Sequence, residues 1–170
     1  MIAEKETKRK RIFSKLGYSQ EETNDLVGLM NTLLANYNVH YQKLRNFHWN
    51  VVGADFFDIH EQFEMQYNDA KESIDEIAER IRVFGKTPLS TMKDYLEESE
   101  IKEASTDLEA MQMVKFIIED YRLLMEKMFD VLEMAIEYGD SGTEDMVKAQ
   151  IKKLEKYHWM MTAFSSEKDK

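Results

Sequence analysis

Residues 55–84 read DFFDIHEQFEMQYNDAKESIDEIAERIRVF, and this stretch decides the fold. Its apolar residues recur every three or four positions, which is the spacing that places side chains on one face of an α-helix. These apolar positions are Ile59, Phe63, Tyr67, Ala70, Ile74, Ile77 and Ile81. No glycine or proline falls inside the stretch, so we expect one long helix.

The same helical spacing continues on both sides of this stretch. It predicts long helices at 19–47, at 104–138 and from position 141 or 143 to 164, with a short helix at 91–99. In the helix at 104–138, the positions predicted to face inward are Leu108, Met111, Phe116, Tyr121, Leu124, Met128, Leu132 and Ala135. Helices of this length, roughly 35–50 Å, pack as a bundle when short connections join them. We therefore expect an all-α four-helix bundle with a short extra helix between the second and third long helices.

Composition excludes several classes of protein. The chain has 170 residues, about the size of one domain, and 43% of them are hydrophobic. The absence of cysteine excludes a disulfide scaffold, a thiolate metal site and a cysteine nucleophile. A single proline and six glycines argue against an all-β fold. The sequence shows neither a membrane-length apolar run nor the apolar core of a signal peptide, so we expect a cytoplasmic protein.

Charge is distributed unevenly along the chain. The net charge is -10, but residues 1–17 carry six basic side chains against Glu4 and Glu6, which is a net +4. The six are Lys5, Lys8, Arg9, Lys10, Arg11 and Lys15. We expect residues 1–17 to form a mobile basic arm, residues 18–166 the bundle domain, and residues 167–170 a short polar tail.

One face of the second long helix combines a histidine with carboxylates. At 100° per residue, His60, Glu64, Asp75 and Glu79 all fall on that face. Imidazole and carboxylate together suit a divalent ion such as Fe(II) or Mn(II). The alternative is an ordinary solvated face, which is what most charged helix stripes are.

Distance along the helix limits how these residues can act together. His60 and Asp75 are fifteen residues apart, or about 22 Å along the helix axis, so one chain cannot bring both to one metal ion. Two copies packed antiparallel across a two-fold axis would place the His60 end of one beside the Asp75 end of the other. Because two-fold contacts occur in pairs, such a dimer would hold two sites.

At these residues the sequence resembles the Dps family, the mini-ferritins that protect DNA in starved or oxidatively stressed bacteria. The resemblance rests on HWNVVG at 48–53, on Phe57, HE at 60–61, Phe63 and Tyr67, and on DEIAER at 75–80. It covers nearly the whole chain, including the short helix. It implies a ferritin-like bundle and a hollow dodecamer with tetrahedral symmetry. It also implies oxidation of Fe(II), preferably by hydrogen peroxide, and storage of ferric oxide inside the shell.

The resemblance also implies a set of iron ligands between subunits. His48 and His60 would come from one chain, and Asp75 and Glu79 from its two-fold partner. The fifth family position is commonly aspartate, whereas this chain has Glu64. The longer side chain keeps the carboxylate but moves it by one methylene. We expect one tight iron site and a second, weaker site completed by water.

Four further residues acquire expected roles from the resemblance. Trp49 matches the family aromatic near the iron centre that is thought to quench oxidising equivalents; the alternative is core or interface packing. Asp145, with Asp140 and Glu144, lies where the family has acidic three-fold pores that admit ferrous ions. The alternative for these acids is the ordinary preference for negative charge at a helix N-terminus.

Two other histidines carry weaker signals. Glu155 and His158 form one Glu-x-x-His unit of the kind found in di-iron bundles, but that architecture needs two such units. We therefore expect His158 to serve packing or an interface, and we expect His40 to be structural.

Two functions remain open at this point. The first is a ferroxidase and iron-storage shell with hydrogen peroxide as oxidant. The second is a nucleoid-compacting, DNA-binding protein in which the basic arm neutralises phosphates and iron chemistry is secondary. Many arms on one particle would add avidity. A helical interaction module without metal is a third class, but the set of His48, His60, Asp75 and Glu79 argues against it.

Overall fold

The fold is a bundle of four long helices with one short helix in the link between the second and third. The computed structural model describes residues 16–166. The helices are α1 (Gln20–Asn50), α2 (Phe56–Val83), α3 (Met92–Glu98), α4 (Ala110–Tyr138) and α5 (Ser141–Ser165). Helix α1 packs against α2, α3 and α4, and α4 packs against α5. This confirms the all-α bundle with its extra short helix. None of the helices in residues 16–166 is long and apolar enough to cross a membrane.

The ends of the long helices follow local sequence signals. Ser19 and Glu22 form a capping box at the start of α1: Ser19 Oγ accepts from the Glu22 N–H at 3.2 Å, and Glu22 Oε2 accepts from the Ser19 N–H at 2.6 Å. Helix α4 ends at Gly139, which adopts the left-handed conformation with φ 65°. Side chains and backbone geometry thus provide partners for backbone N–H and C=O groups that the ends of these helices would otherwise leave unpaired.

The third long helix begins six residues later than its periodicity predicts. The sequence predicts a start at position 104, whereas α4 begins at Ala110. Side chains of α1 bind the preceding link instead: Asn36 Oδ1 accepts from the N–H groups of Glu100 and Ile101, both at 3.0 Å. Asn46 Nδ2 donates to the Ala104 carbonyl at 3.0 Å. These contacts hold the link in a non-helical path, and helical periodicity in the sequence carries no signal for them.

The core contains most of the predicted apolar stripe of α2. Ile59, Phe63, Ala70, Ile77 and Ile81 are buried, while Tyr67 and Ile74 are partly buried against the core. On α4 the prediction for Phe116 is wrong, because its side chain is 46% exposed. The buried seam of α4 passes through Met113, Ile117 and Leu124, and position 116 is turned about 100° away from position 117.

A buried ionic cluster links α1 to α4. Asp120 Oδ1 accepts from Lys43 Nζ at 2.7 Å, and Asp120 Oδ2 lies 3.0 Å from His40 Nδ1. All three side chains are less than 10% exposed. Buried charges require partners of this kind, because removal from water costs several kcal/mol for each unpaired ion. His40 therefore lies in a packed structural cluster.

Candidate metal centre

Two histidines meet where α1 ends and α2 begins. The connection between the helices is residues 51–55, and Gly53 takes φ 115°, a conformation that favours glycine. This short turn brings His48, near the end of α1, beside His60, in the first turns of α2. Their rings stack with centroids 3.8 Å apart and planes inclined by 21°.

Reciprocal hydrogen bonds orient the two rings. His48 Nδ1 donates to the His60 carbonyl at 2.9 Å, and His60 Nδ1 donates to the His48 carbonyl at 2.8 Å. Because a carbonyl oxygen only accepts, each ring carries its proton on Nδ1. In a neutral imidazole this places the lone pair on Nε2, which is the arrangement of a metal-ligating histidine whose other nitrogen is held by the protein.

Glu64 adds a carboxylate to the histidine pair. It lies one helical turn after His60 on α2, and one ligand atom from each of His48, His60 and Glu64 lies within 4.8 Å of the other two. Within residues 16–166, this is the one group of three or more such side chains that meets that distance. Two imidazoles and a carboxylate fit Fe(II), but three protein ligands leave coordination positions open.

Asp75 and Glu79 lie far from this group on the same helix. Since α2 runs unbroken from Phe56 to Val83, the fifteen residues between His60 and Asp75 span about 22 Å. Asp75 and Glu79 are exposed and line an open groove with Glu72, Glu76 and Lys153. The structure therefore brings His48, His60 and Glu64 together in one chain and keeps Asp75 and Glu79 apart from them.

Tyr67 is a neighbour of the centre that the sequence placed in the apolar stripe and in the family signature, without a role at the metal site. Its hydroxyl donates to Glu64 Oε1 at 3.5 Å, and its ring meets the ring of His48 edge-on with centroids 5.3 Å apart. Burial raises the pKa of Tyr67, and the negative charge of Glu64 adds to the rise. The three-residue spacing from Glu64 on one helix was the available signal.

Trp49 follows His48 in sequence but points away from the core. Its side chain is 57% exposed, and the Arg45 guanidinium lies 4.7 Å from the centre of its ring. It lines a groove between α1 and the link that carries Glu103 and Ala104. Packing inside the core of the chain is therefore excluded for Trp49, and an interface or a redox role remains.

The three acids at the start of α5 differ in environment. Asp140 is 1% exposed; it accepts from the Thr143 N–H at 3.2 Å and pairs with Arg80 at 2.5 Å. This burial corrects the expectation for Asp140, because a carboxylate that caps a helix and pairs with arginine does not face a pore. Glu144 is partly exposed and pairs with Lys148, and Asp145 is exposed.

The basic side chains of the arm lie outside the described residues, 16–166. The same is true of the polar tail at 167–170. His158, within α5, is partly buried, and its neighbour Trp159 is 66% exposed.

Known proteins share both the sequence pattern and the fold. The Ferritin-like domain family matches residues 27–168. General stress protein 20U of Bacillus subtilis is 39% identical over 142 residues, covering 84% of this chain and 98% of the relative. A DNA protection during starvation protein of Brevibacillus brevis is 42% identical over 136 residues, covering 80% and 91%. A Dps crystal structure from Vibrio cholerae O1 superposes with a TM-score of 0.86 at 34% identity, covering 88% and 94%. The chain therefore belongs to the Dps family of ferritin-like proteins.

Proposed function

We propose that this protein is an iron-storage ferroxidase that oxidises Fe(II) to Fe(III), preferably with hydrogen peroxide, and stores ferric oxide. One observation carries the proposal: His48, His60 and Glu64 converge, and a backbone carbonyl holds the Nδ1 of each histidine. The Vibrio cholerae relative is described as a member of a superfamily of ferritin-like diiron-carboxylate proteins. Ferrous iron is the substrate that this donor set suits.

A second subunit completes the site in this proposal. Asp75 and Glu79 of a two-fold partner would supply the carboxylates that His48 and His60 lack in their own chain. The separation of about 22 Å along α2 supports this arrangement, since antiparallel copies of α2 would place the two halves side by side. The resulting assembly is a homo-oligomer, for which we propose the family's hollow dodecamer with an interior for ferric oxide.

The proposed reaction balances electrons between two iron ions and one peroxide. Two Fe(II) give one electron each, the O–O bond breaks, and two protons complete two water molecules. Carboxylates favour the product because Fe(III) is a harder ion than Fe(II). Paired transfer releases no hydroxyl radical, so removal of peroxide and storage of iron are one process. Trp49, beside His48, would take up any oxidising equivalent that escapes.

Ferrous ions would enter through acidic openings in the shell. Glu144 is partly exposed and Asp145 is exposed at the start of α5, and we propose that three copies of this surface surround a pore. The total net charge is -10 although residues 1–17 are basic, so the rest of the chain is strongly negative. A surface of that sign concentrates cations at the shell.

The stoichiometry of iron oxidation tests the proposed reaction. When Fe(II) and hydrogen peroxide are added without oxygen to the assembled protein, we expect two Fe(II) to be consumed per peroxide, with no hydroxyl radical captured by a spin trap. Fe(III) absorbance and the radical signal are measured together. Consumption of one Fe(II) per peroxide, with a radical signal equal to that of iron in buffer, would contradict the proposal.

A second proposed function is DNA binding by the arm. The excess of +4 in residues 1–17 supports it, because lysine and arginine neutralise phosphates and release counterions. The name of the Brevibacillus brevis relative, DNA protection during starvation protein, also supports a link to DNA. A particle of this kind would act in the cytoplasm beside the nucleoid and would compact it.

Deletion of residues 1–16 tests the DNA proposal. We expect the truncated particle to lose gel retardation of duplex DNA at low salt, whereas the full chain retards DNA at low salt and releases it at higher salt. A matched control replaces the six arm cations by glutamine and keeps the length. Retardation by the truncated particle that equals that of the full chain would refute a role for the arm.

A further inference from the structure

Position 64 has an unusual consequence for the metal centre. A glutamate has one more rotatable bond than an aspartate, so its carboxylate loses more rotamer freedom when it is held at a metal ion. Glu64 is exposed on α2, and no buried packing surface fixes its side chain. A ligand of this length therefore gains from a neighbouring group that limits where its carboxylate points.

Tyr67 lies where such a group is needed. Its hydroxyl donates to Glu64 Oε1 at 3.5 Å, from a position three residues further along the same helix. Its ring is held from two sides, edge-on to His48 at 5.3 Å and edge-on to Tyr41 at 6.2 Å. Tyr67 thus contacts two of the three side chains of the centre, the imidazole through its ring and the carboxylate through its hydroxyl.

We propose that Tyr67 is a positioning residue that holds the Glu64 carboxylate toward the two imidazoles for a divalent cation; this role rests on the proposed function. The hydroxyl binds one carboxylate oxygen and leaves the other for the cation. An aspartate at position 64 would be one methylene shorter and would withdraw its carboxylate from the Tyr67 hydroxyl. Glu64 and Tyr67 therefore act as a pair.

A double-mutant cycle tests this pair in the assembled full chain. The variants are Tyr67→Phe, Glu64→Asp and the two combined, and the probe is Co(II) alone, titrated without oxygen and followed by its ligand-field absorbance. Because the hydrogen bond is long, we expect Tyr67→Phe to weaken Co(II) binding by about three- to ten-fold and to shift the ligand-field bands. In the Glu64→Asp background, the same change is expected to alter the affinity by less than about two-fold.

Tyr41→Phe is the matched control, because it removes a hydroxyl from the neighbouring ring and keeps the aromatic contact with Tyr67. It is expected to leave Co(II) affinity unchanged in both backgrounds. The positioning role would be overturned if Tyr67→Phe lowered Co(II) affinity equally in the parent and in the Glu64→Asp background. It would also be overturned if Tyr67→Phe lowered Co(II) affinity in neither background. A parent chain that binds no Co(II) would overturn the proposed function and this role together. If the parent chain binds Co(II), a failure of the Tyr67 positioning role leaves the proposed function standing.

Discussion

Particles built from His60→Ala alone, or from Asp75→Ala alone, are expected to oxidise Fe(II) with peroxide at least about 100-fold more slowly than the parent. Even residues that only orient metal ligands contribute about 10- to 100-fold, and these two side chains are proposed to touch the iron itself. His60 is oriented by the carbonyl of His48 at 2.8 Å, so its replacement also removes one of the two bonds that join the histidine pair. The initial rate of Fe(III) absorbance measures the loss.

Mixed particles distinguish a site between subunits from a site within one chain. When equal amounts of the His60→Ala and Asp75→Ala chains assemble at random, half of the two-fold pairs contain one chain of each kind. Each mixed pair has one doubly damaged site and one intact site, because the Asp75→Ala chain supplies His60 and the other supplies Asp75. We therefore expect the mixture to recover about one quarter of the parent rate.

Glu61→Ala provides the control for this experiment, because Glu61 is an exposed acid next to His60 that belongs to neither half of the site. Glu61→Ala particles are expected to oxidise Fe(II) at the parent rate, alone and when mixed with parent chains. The mass of each particle confirms that both chains assembled together. A mixture as slow as its two components would show that His60 and Asp75 do not share a site.

The largest expected loss of stability follows from Asp120→Ala. Removal of this carboxylate leaves the Lys43 ammonium, 4% exposed, without its partner at 2.7 Å. Breaking a buried pair from one side costs about 3–5 kcal/mol, because an uncompensated charge stays in the core. For a chain of this size, each kcal/mol lowers the midpoint of thermal unfolding by about 2–4 °C. The expected decrease is therefore roughly 6–20 °C, measured by circular dichroism.

The neighbouring position supplies a matched control for that change. Glu119 pairs with Arg122 at 2.6 Å, but both side chains are more than half exposed. An exposed ion pair contributes little, so Glu119→Ala is expected to change stability by less than about 1 kcal/mol. The variants must be compared at one protein concentration, since assembly adds to apparent stability. A loss below about 1 kcal/mol for Asp120→Ala would contradict a sealed ionic cluster.

The bundle was predictable because its main signals are local. Apolar spacing in residues 55–84 and the capping box at Ser19 depend only on residues within a few turns of one another. The start of α4 was not predictable in this way. Asn36 and Asn46 compete for the backbone of the link, and they lie more than fifty residues away along the chain.

The candidate site was likewise predictable only where its signals are local in the sequence. In any α-helix, the four-residue spacing of His60 and Glu64 places both side chains on the same face, one turn apart. The fifteen residues between His60 and Asp75 separate those two side chains too far for both to bind one metal ion within a single chain. Asp140 shows the limit of this reasoning. It is an acid at a helix start in sequence, and only the packing of Arg80 against it shows that its charge is buried.

Periodicity in the sequence was enough to predict a helical bundle and to propose a metal-binding face that needs a partner, because helix geometry converts spacing directly into direction and distance. Only the turn at 51–55 in the folded structure brings His48 beside His60. Each imidazole then donates to the carbonyl of the other residue, and this exchange of hydrogen bonds fixes Nδ1 as the donor nitrogen of each ring. The contact of Tyr67 with His48 likewise exists only once α1 and α2 pack together, because the two residues lie on different helices.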